Sequence, residues 1–241
     1  MKEALIWKLH AAYSKYYWRR LCRNQSLKEA IIDYKKVSQS TGAKVTTLYK
    51  LYSAIIKLKP KNILECGTGL STIVICEAVL KIKEKDASYN PNIISMENNE
   101  YYHNHANEIL PAKYKSLVEI IWGERTLYNH SLFRGYCYEN KPELPYDFIF
   151  VDGPNYDDEL GSAFCADALE IAYCSPERII SGVIDTRLTT CFVLQSIFGR
   201  RSVKYSSITR VGLFSISGLR NVTYKSQNFK KSALGQLFIR R

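Results

Sequence analysis

Carboxylates at the ends of apolar runs are the side chains of this sequence best placed to do chemistry. Glu97, Asp152 and Asp185 each end such a run, and Glu65 stands near the end of another. Short apolar runs between turn residues predict buried strands, where a carboxylate is costly unless it meets a cation, a metal or a hydrogen-bond donor. Ligands of open parallel sheets bind beyond the carboxyl ends of the strands. We therefore expect these acids near one ligand site.

The segment from Gly67 to Thr72 reads Gly-Thr-Gly-Leu-Ser-Thr and joins an apolar run to a segment of helical periodicity. This pattern predicts a strand, a tight loop and a helix. The glycines permit backbone angles and a close approach that a Cβ would prevent. Ser71 or Thr72 can cap the helix, whose free N–H groups would then face a ligand above the strand. The pattern is typical of a nucleotide-cofactor cradle, and a purely structural turn is the alternative.

Together with Glu97 and the run Tyr-Asp-Phe-Ile-Phe-Val-Asp-Gly-Pro at residues 146–154, the Glu65 to Thr72 segment resembles the class I S-adenosylmethionine (SAM) dependent methyltransferases. The resemblance covers roughly residues 45–218. A dinucleotide-binding dehydrogenase instead has a third glycine, where Thr72 stands here, and its acid about twenty residues on. The resemblance implies SAM as the cofactor and methyl transfer as the reaction.

The resemblance also implies roles for individual residues. Glu65 would hold the ammonium group of SAM, Glu97 the ribose hydroxyls, and Glu124 the adenine edge, with a plain surface acid as the alternative for Glu124. The implied cofactor-binding residues are Glu65, Gly67, Gly69, Ser71, Thr72, Glu97 and Glu124.

Asp152 and Asp185 are the predicted catalytic residues, because they end neighbouring strands and can converge on one pocket. Such a pair is similar to that of the metal-dependent O-methyltransferases, in which two Asp and an Asn hold magnesium. Thr186 stands where their Asn would be, and Asn155 where a catalytic Lys is expected, so we predict no metal. We expect Asn155 and Arg187 to bind the substrate. Arg187 either binds an anionic acceptor or pairs with Asp185.

Alternating strand and helix patterns from residue 45 onwards predict an α/β fold. The expectation is a Rossmann-like, mostly parallel sheet of seven strands, with helices on both faces and a helical N-terminal extension. Residues 129–145 look irregular, and Asp157-Asp158-Glu159 suit the start of a helix that ends near Cys174. We expect the substrate pocket to be built from residues 1–44 and 125–145.

Three parts follow from this interpretation: a basic, aromatic helical extension (1–44), a SAM-binding domain (45–218) and a basic tail (219–241). In the first part, Leu5, Leu9, Ala12 and Tyr16 form a helical stripe that we expect to dock on the body or on a second subunit. Ser26-x-x-Glu29 predicts a capping box at the next helix.

Charge separates the same parts. Residues 1–60 and 200–241 each carry a net charge of +10, whereas residues 61–199 carry −9. Basic ends indicate an anionic partner, either nucleic acid or a membrane surface, and plain solubilisation is the alternative. The seven cysteines contain no Cys-x-x-Cys pair and indicate reduced thiols. We expect a cytoplasmic protein, peripheral at a membrane if its basic ends bind lipid, with a homodimer as one option.

These patterns favour a SAM-dependent methyltransferase that acts on a small-molecule or sugar-type acceptor at oxygen. The alternative from another class is a non-catalytic protein on the same fold that binds nucleic acid or a membrane through its basic ends. Binding that depends on salt, without affinity for SAM, would distinguish the second hypothesis.

Overall fold

The computed structural model describes residues 2–39, 42–159 and 161–217. In chain order, the α-helices of these ranges are α1 (Lys2–Leu21), α2 (Gln25–Val37), α3 (Val45–Leu58), α4 (Leu70–Lys83), α5 (Glu100–Ile109), α6 (Asp167–Cys174) and α7 (Leu188–Phe198). The strands are β1 (Asn62–Cys66), β2 (Asn92–Glu97), β3 (Glu119–Trp122), β4 (Arg125–His130), β5 (Phe133–Tyr138), β6 (Phe148–Val151), β7 (Asp157–Asp158), β8 (Gly161–Ser162), β9 (Phe164–Cys165), β10 (Ile179–Asp185), β11 (Val203–Ser206) and β12 (Val211–Ser217). The predicted tail, residues 219–241, lies outside the described ranges.

A seven-stranded sheet with the order β11-β12-β10-β6-β1-β2-β3 organises the molecule. Strands β3, β2, β1, β6 and β10 run parallel to one another, and β12 runs antiparallel to both of its neighbours. The chain builds the sheet outwards from β1 in one direction and from β6 in the other, so the strand order reverses between these two strands. This architecture confirms the predicted seven-stranded, mostly parallel α/β fold.

Helices cover both faces of the sheet because its central strands are apolar on both sides. Alternate residues point to opposite faces, so Ile63 packs with the helices α2, α3 and α4, whereas Leu64 packs with α6 and α7. Strand β6 is buried along its whole length, as a central parallel strand must be.

One carboxylate holds the amino ends of the two central strands together. The two oxygens of Asp147, just before β6, accept hydrogen bonds from the backbone N–H groups of Lys61 and Asn62, each at 2.9 Å. These bonds fix where β1 begins relative to β6.

The N-terminal helices pack against the body of the protein. Leu21, Leu27, Ile31 and Tyr34 join the same buried cluster as one face of the sheet. The predicted capping box at Ser26 is wrong, because α2 begins at Gln25 and Ser26 lies inside it. Asn24 is the N-cap and accepts a hydrogen bond from the N–H of Leu27 at 3.3 Å. The boundary predicted at residue 44 stays a prediction.

The side of α1 that faces the body differs from the predicted one. Tyr17 and Leu21 are buried, and the Tyr17 ring stacks on that of Tyr49 at 4.4 Å between centroids. Leu9 and Tyr16, from the predicted docking stripe, are exposed. The helix therefore docks through a neighbouring face and leaves Leu9, Ala12 and Tyr16 of the predicted stripe uncovered by the described residues.

Two further predictions about local structure are wrong. The segment expected to be irregular contains the antiparallel hairpin of β4 and β5, whose register runs from Arg125 opposite Tyr138 to His130 opposite Phe133. Strand β9 pairs with β5 in parallel and completes a small second sheet. The helix expected from Asp157 begins only at Asp167, and the short strands β7, β8 and β9 occupy the interval.

Within the described ranges, every helix is too short or too polar to cross a membrane.

Close packing at Gly182 yields a test of the central sheet. A Cβ at this position would meet the carbonyl oxygen of Ile149 and the ring of Phe214. We expect Gly182→Ala to lower the free energy of unfolding by about 1–3 kcal/mol, since the backbone of β6 cannot move aside. Denaturant titration measures the change. The neighbouring Ser181→Ala is the control, because the Ser181 hydroxyl makes a 3.3 Å hydrogen bond with that of Ser215 at an exposed position. An equal loss of stability in both variants would contradict the packing argument.

Candidate functional site

The loop after β1 and the residues after β6 meet where the strand order reverses, which is where ligands of such sheets bind. The N–H of Asp152 donates to the carbonyl oxygen of Cys66 at 2.8 Å. Gly67 has a φ of 95°, and an added Cβ would lie 3.0 Å from the carbonyl carbon of Asp152. This position requires glycine for both reasons. The structure thus brings the Gly67 loop and Asp152 together at the strand reversal.

A cavity of about 440 Å³ opens above this meeting point. Most of the predicted site residues line it, from both sides of the strand reversal. They are Gly67, Gly69, Ser71, Glu97, Asp152, Asn155 and Arg187.

The other four predicted residues stand elsewhere. Glu65 and Thr72 are buried beneath the glycine loop. Asp185 is buried and accepts a hydrogen bond from the hydroxyl of Thr47, so it does not share the cavity with Asp152. Glu124 is exposed and lies outside the cavity lining. The predicted convergence of Asp152 and Asp185 on one pocket therefore reduces to Asp152 at the cavity with Asp185 behind it.

Glu65 is a fully buried carboxylate that is only half satisfied. Its Oε2 accepts hydrogen bonds from the hydroxyls of Thr72 and Ser95, both at 2.6 Å. Its Oε1 has no hydrogen-bond partner among the described residues. Burial raises the pKa of Glu65 to about 7, although the nearby hydroxyls of Ser71, Ser95 and Thr72 oppose the shift. A cation that reached Oε1 would favour the ionised form.

Thr72 connects this carboxylate to the start of α4. Its hydroxyl donates to Glu65 and accepts a hydrogen bond from the N–H of Gly69 at 3.0 Å. The helix begins at Leu70, with Gly69 as its N-cap. Neither Ser71 nor Thr72 is the N-cap residue, because the helix starts before both. Thr72 nevertheless caps the start of the helix, since its hydroxyl accepts the N–H of Gly69.

Glu97 ends β2 at the wall of the cavity and is 8% exposed. Its Oε1 accepts a hydrogen bond from the N–H of Asn99 at 2.9 Å. Burial raises the pKa of Glu97, and backbone N–H groups of the following turn work against that shift. The turn thus orients the carboxylate and leaves it able to accept hydrogen bonds from a ligand.

Asp152 and Arg187 form a pair on the other side of the cavity. The guanidinium of Arg187 donates to the carbonyl oxygen of Asp152, and its Nη2 lies 3.4 Å from Asp152 Oδ1. It also stands over the Tyr156 ring, with 4.6 Å from Cζ to the ring centroid. Arg187 is thus paired with Asp152, whereas the sequence analysis gave an anionic acceptor or Asp185 as its alternatives.

Burial raises the pKa of Asp152 to about 7, the negative charge of Asp185 adds to the shift, and Arg187 opposes it. The Asp152 side chain is 30% exposed, so water screens part of these interactions. The direction of the shift places the carboxyl near the range in which a general base works at neutral pH.

Tyr138 is one of the cavity residues that the sequence argument missed. It ends β5, and its backbone N–H donates to Asp167 Oδ1 at 3.0 Å, while Lys141 bridges Asp167 and Glu170 at 3.0 and 2.7 Å. Its buried hydroxyl has no hydrogen-bond partner in the described part of the chain. Burial holds the pKa of Tyr138 well above its usual range, so the hydroxyl stays a donor.

Gly42 and Ala43, before α3, also line the cavity. With Tyr138, they come from the two segments that the sequence predicts to build the pocket, 1–44 and 125–145. Segment composition was the only signal for them, since none belongs to a motif.

No group of three or more His, Cys, Asp or Glu side chains in residues 2–39, 42–159 and 161–217 is arranged to hold a metal ion.

Comparisons with known proteins add a structural likeness. No protein-family model matches the sequence, and no curated protein matches it. Among solved structures, the chain is similar to the O-methyltransferase TomG from Streptomyces achromogenes in complex with SAM, at 15% identity and a TM-score of 0.47, over 79% of this chain and 90% of that one.

It is also similar to an O-methyltransferase from Bacillus cereus in complex with S-adenosylhomocysteine (SAH), at 17% identity and a TM-score of 0.46, over 80% of this chain and 90% of that one. The chain is similar as well to a methyltransferase from Geobacter sulfurreducens, at 14% identity and a TM-score of 0.47, over 70% of this chain and 77% of that one. Identities and TM-scores of this size carry no information about the reaction.

The pair of Asp152 and Arg187 can be tested by titration. Since Arg187 opposes the rise in the pKa of Asp152, we expect Arg187→Gln to raise that pKa above about 7. Carboxyl-carbon NMR of the protein with labelled aspartate measures it against pH. Arg125→Gln is the matched control, because the Arg125 guanidinium donates to the backbone oxygens of Asn155 and Asp157 and stands over the Tyr136 ring. An unchanged Asp152 titration in Arg187→Gln would refute the electrostatic contact.

Proposed function

We propose that this protein is a class I SAM-dependent methyltransferase that transfers a methyl group to an oxygen atom of a small-molecule or sugar-type acceptor. The observation that carries the proposal is the buried, half-satisfied carboxylate of Glu65 beneath the cavity at the strand reversal. A carboxylate in that position is costly without a positively charged ligand group, and the ammonium group of an amino acid supplies one.

The residues around the cavity fit the rest of SAM. Glu97, held by the turn after β2, can accept hydrogen bonds from both hydroxyls of a ribose. Gly67 lets the loop close onto the end of β6 at the floor of the cavity, because an added Cβ would meet the backbone of Asp152. The unpartnered hydroxyl of Tyr138 offers one more donor. When bound, SAM supplies an electrophilic methyl group on a positively charged sulfur.

The acceptor side is formed by Asp152, Asn155, Tyr156 and Arg187. Asp152, with its raised pKa, can take the proton from a hydroxyl as the oxygen attacks. Arg187 is 11% exposed, and its Nε has no partner within the described residues. This N–H can bind an oxygen of the acceptor, so we propose that Arg187 and Asn155 hold the acceptor in line with the cavity. Such positioning is the main requirement for a displacement reaction.

Cofactor binding is the first test. We expect SAH to bind the purified protein, and Glu97→Ala to weaken the affinity at least tenfold, or about 1.4 kcal/mol, because the ribose would lose its acceptor. Titration calorimetry measures both. Glu119→Ala, which removes an exposed acid from the adjacent strand β3, is the control and should bind as the unchanged protein does.

The same titration examines Glu124. Its exposed side chain lies outside the cavity lining, so we expect Glu124→Ala to change the affinity by less than about threefold, within the range of surface substitutions. If the folded protein does not bind SAH at all, the methyltransferase proposal is wrong, and the non-catalytic alternative gains support.

Glu65 predicts the pH dependence of binding. Its pKa is raised to about 7 in the free protein, and only the ionised form attracts an ammonium group. The ionised fraction therefore increases from pH 6 to pH 8, and the affinity for SAH should rise about tenfold over this range. At pH 6, binding should release a proton, which calorimetry in two buffers of different ionisation enthalpy detects.

Two variants separate Glu65 from Asp152, which titrates in the same range. Glu65→Gln should bind more weakly and lose the pH dependence, whereas Asp152→Asn should keep it. The opposite pattern would remove Glu65 from the proposed role.

A further inference from the structure

Helix α1 carries an apolar face that no described residue covers. Ile6, Leu9, Tyr13 and Tyr16 follow one another at spacings of three and four, so they share one side of the helix. Their exposed fractions lie between 37% and 50%. The face that docks on the body, with Tyr17 and Leu21, is turned about a quarter of the way round the helix.

The docking contacts hold this face outward. Besides the Tyr17 and Tyr49 stack, the Nδ1 of His10 lies 2.9 Å from the carbonyl oxygen of Ile208. Farther towards the N-terminus, the guanidinium of Arg210 stands 5.7 Å from the centroid of the Trp7 ring. The helix is thus fixed to α3 and to the turn before β12, and Ile6, Leu9, Tyr13 and Tyr16 remain 37–50% exposed beside these contacts.

Positive charge surrounds the apolar face. From residue 4 to residue 28 the chain has six basic residues and no acidic one. Lys8, Lys15 and Arg19 share the next side of the helix and are exposed, and Arg20 lies at the end of the apolar face. Lys50 and Lys204 line a shallow pocket beside Tyr13.

We propose that this apolar and basic surface of α1 binds an anionic lipid surface, with the helix lying in the membrane interface. Helices of this kind submerge an apolar face and keep basic side chains at the headgroups. Tyrosine and tryptophan suit the same boundary, because one end of the ring system is apolar and the other is polar.

Charge and side-chain type argue against the other occupants. A second copy of this chain would bring two basic helices together, and like charges repel. The segment 218–241 has six basic residues and no acidic one, so it would meet the same repulsion. Nucleic acid binds aromatic and basic side chains by stacking and charge, which leaves the exposed Ile6 and Leu9 without a role.

The test is flotation of the full-length chain with vesicles of phosphatidylcholine alone and of phosphatidylcholine with about 30% phosphatidylserine, in about 0.1 M salt. We expect binding to the anionic vesicles only. Leu9→Glu should weaken it on the order of tenfold, because a charge replaces an apolar side chain in the lipid. Lys15→Glu should weaken it at least fivefold, the effect of about one basic residue near such a surface.

Matched controls make the same chemical changes elsewhere. Leu132→Glu alters an apolar side chain that is 96% exposed, and Lys115→Glu reverses an exposed charge outside α1. Both should bind vesicles as the unchanged protein does. Calorimetry with SAH on all four variants separates this proposal from the cofactor site, since α1 lies outside the cavity lining.

Any one of five outcomes would overturn the proposal. In the first two, the unchanged protein would fail to bind anionic vesicles, or it would bind uncharged vesicles equally well. Leu9→Glu binds as well as the unchanged protein, which assigns the binding to another basic segment. In another outcome, vesicle binding would be absent, and sedimentation velocity would find a dimer that Leu9→Glu abolishes. The apolar face would then be an interface between two copies of the chain. The protein retains RNA and not vesicles, which makes the partner a nucleic acid.

Discussion

The buried carboxylate of Glu65 is the constraint on which the rest of the site depends. It lies where the two halves of the sheet diverge, under a loop that glycine brings within van der Waals contact of the next strand's end. Two hydroxyl groups satisfy one of its oxygens, and the other has no partner in the described residues. An unsatisfied buried polar atom destabilises a protein by on the order of 1–3 kcal/mol. Such an atom is retained where a bound ligand removes that cost.

The three acids of the site differ because their surroundings differ. Glu65 is sealed from water with one oxygen unpartnered among the described residues, Glu97 is oriented by a backbone N–H group, and Asp152 is partly exposed beside a guanidinium. A carboxylate's surroundings set whether it binds charge, accepts hydrogen bonds or takes a proton. The sheet places all three within one region by ending three neighbouring parallel strands at the same edge.

The sequence predicts the parts of the fold that depend on local patterns. Apolar runs located the seven strands of the main sheet, and the strand reversal followed from the resemblance. The hairpin of β4 and β5 escaped prediction because its turn, at Ser131 and Leu132, lacks the glycine or asparagine that marks such turns. The acidic run at 157–159 has the charge pattern of a helix start, but the helix α6 begins at Asp167. Asp167 forms an ion pair with Lys141, which lies in another segment of the chain.

The positions of residues that are set by contacts between distant segments could not be predicted from the sequence. Tyr138 reaches the cavity only because the hairpin forms, and the periodicity of α1 revealed an apolar stripe without showing which side of the helix meets the body. Glu65, Glu97 and Asp152 were found because each follows a strand pattern, so their positions needed only the strand order.

The hydrogen bonds of Asp147 have a consequence at the opposite edge of the sheet. Side chains alternate along a strand, so a slip of β1 by one residue would turn Glu65 towards the other layer of helices. By holding the first residues of β1 against the start of β6, Asp147 selects which layer receives the carboxylate. Asp147, a partly buried acid at the amino ends of the strands, thus sets the layer into which Glu65 points at their carboxyl ends.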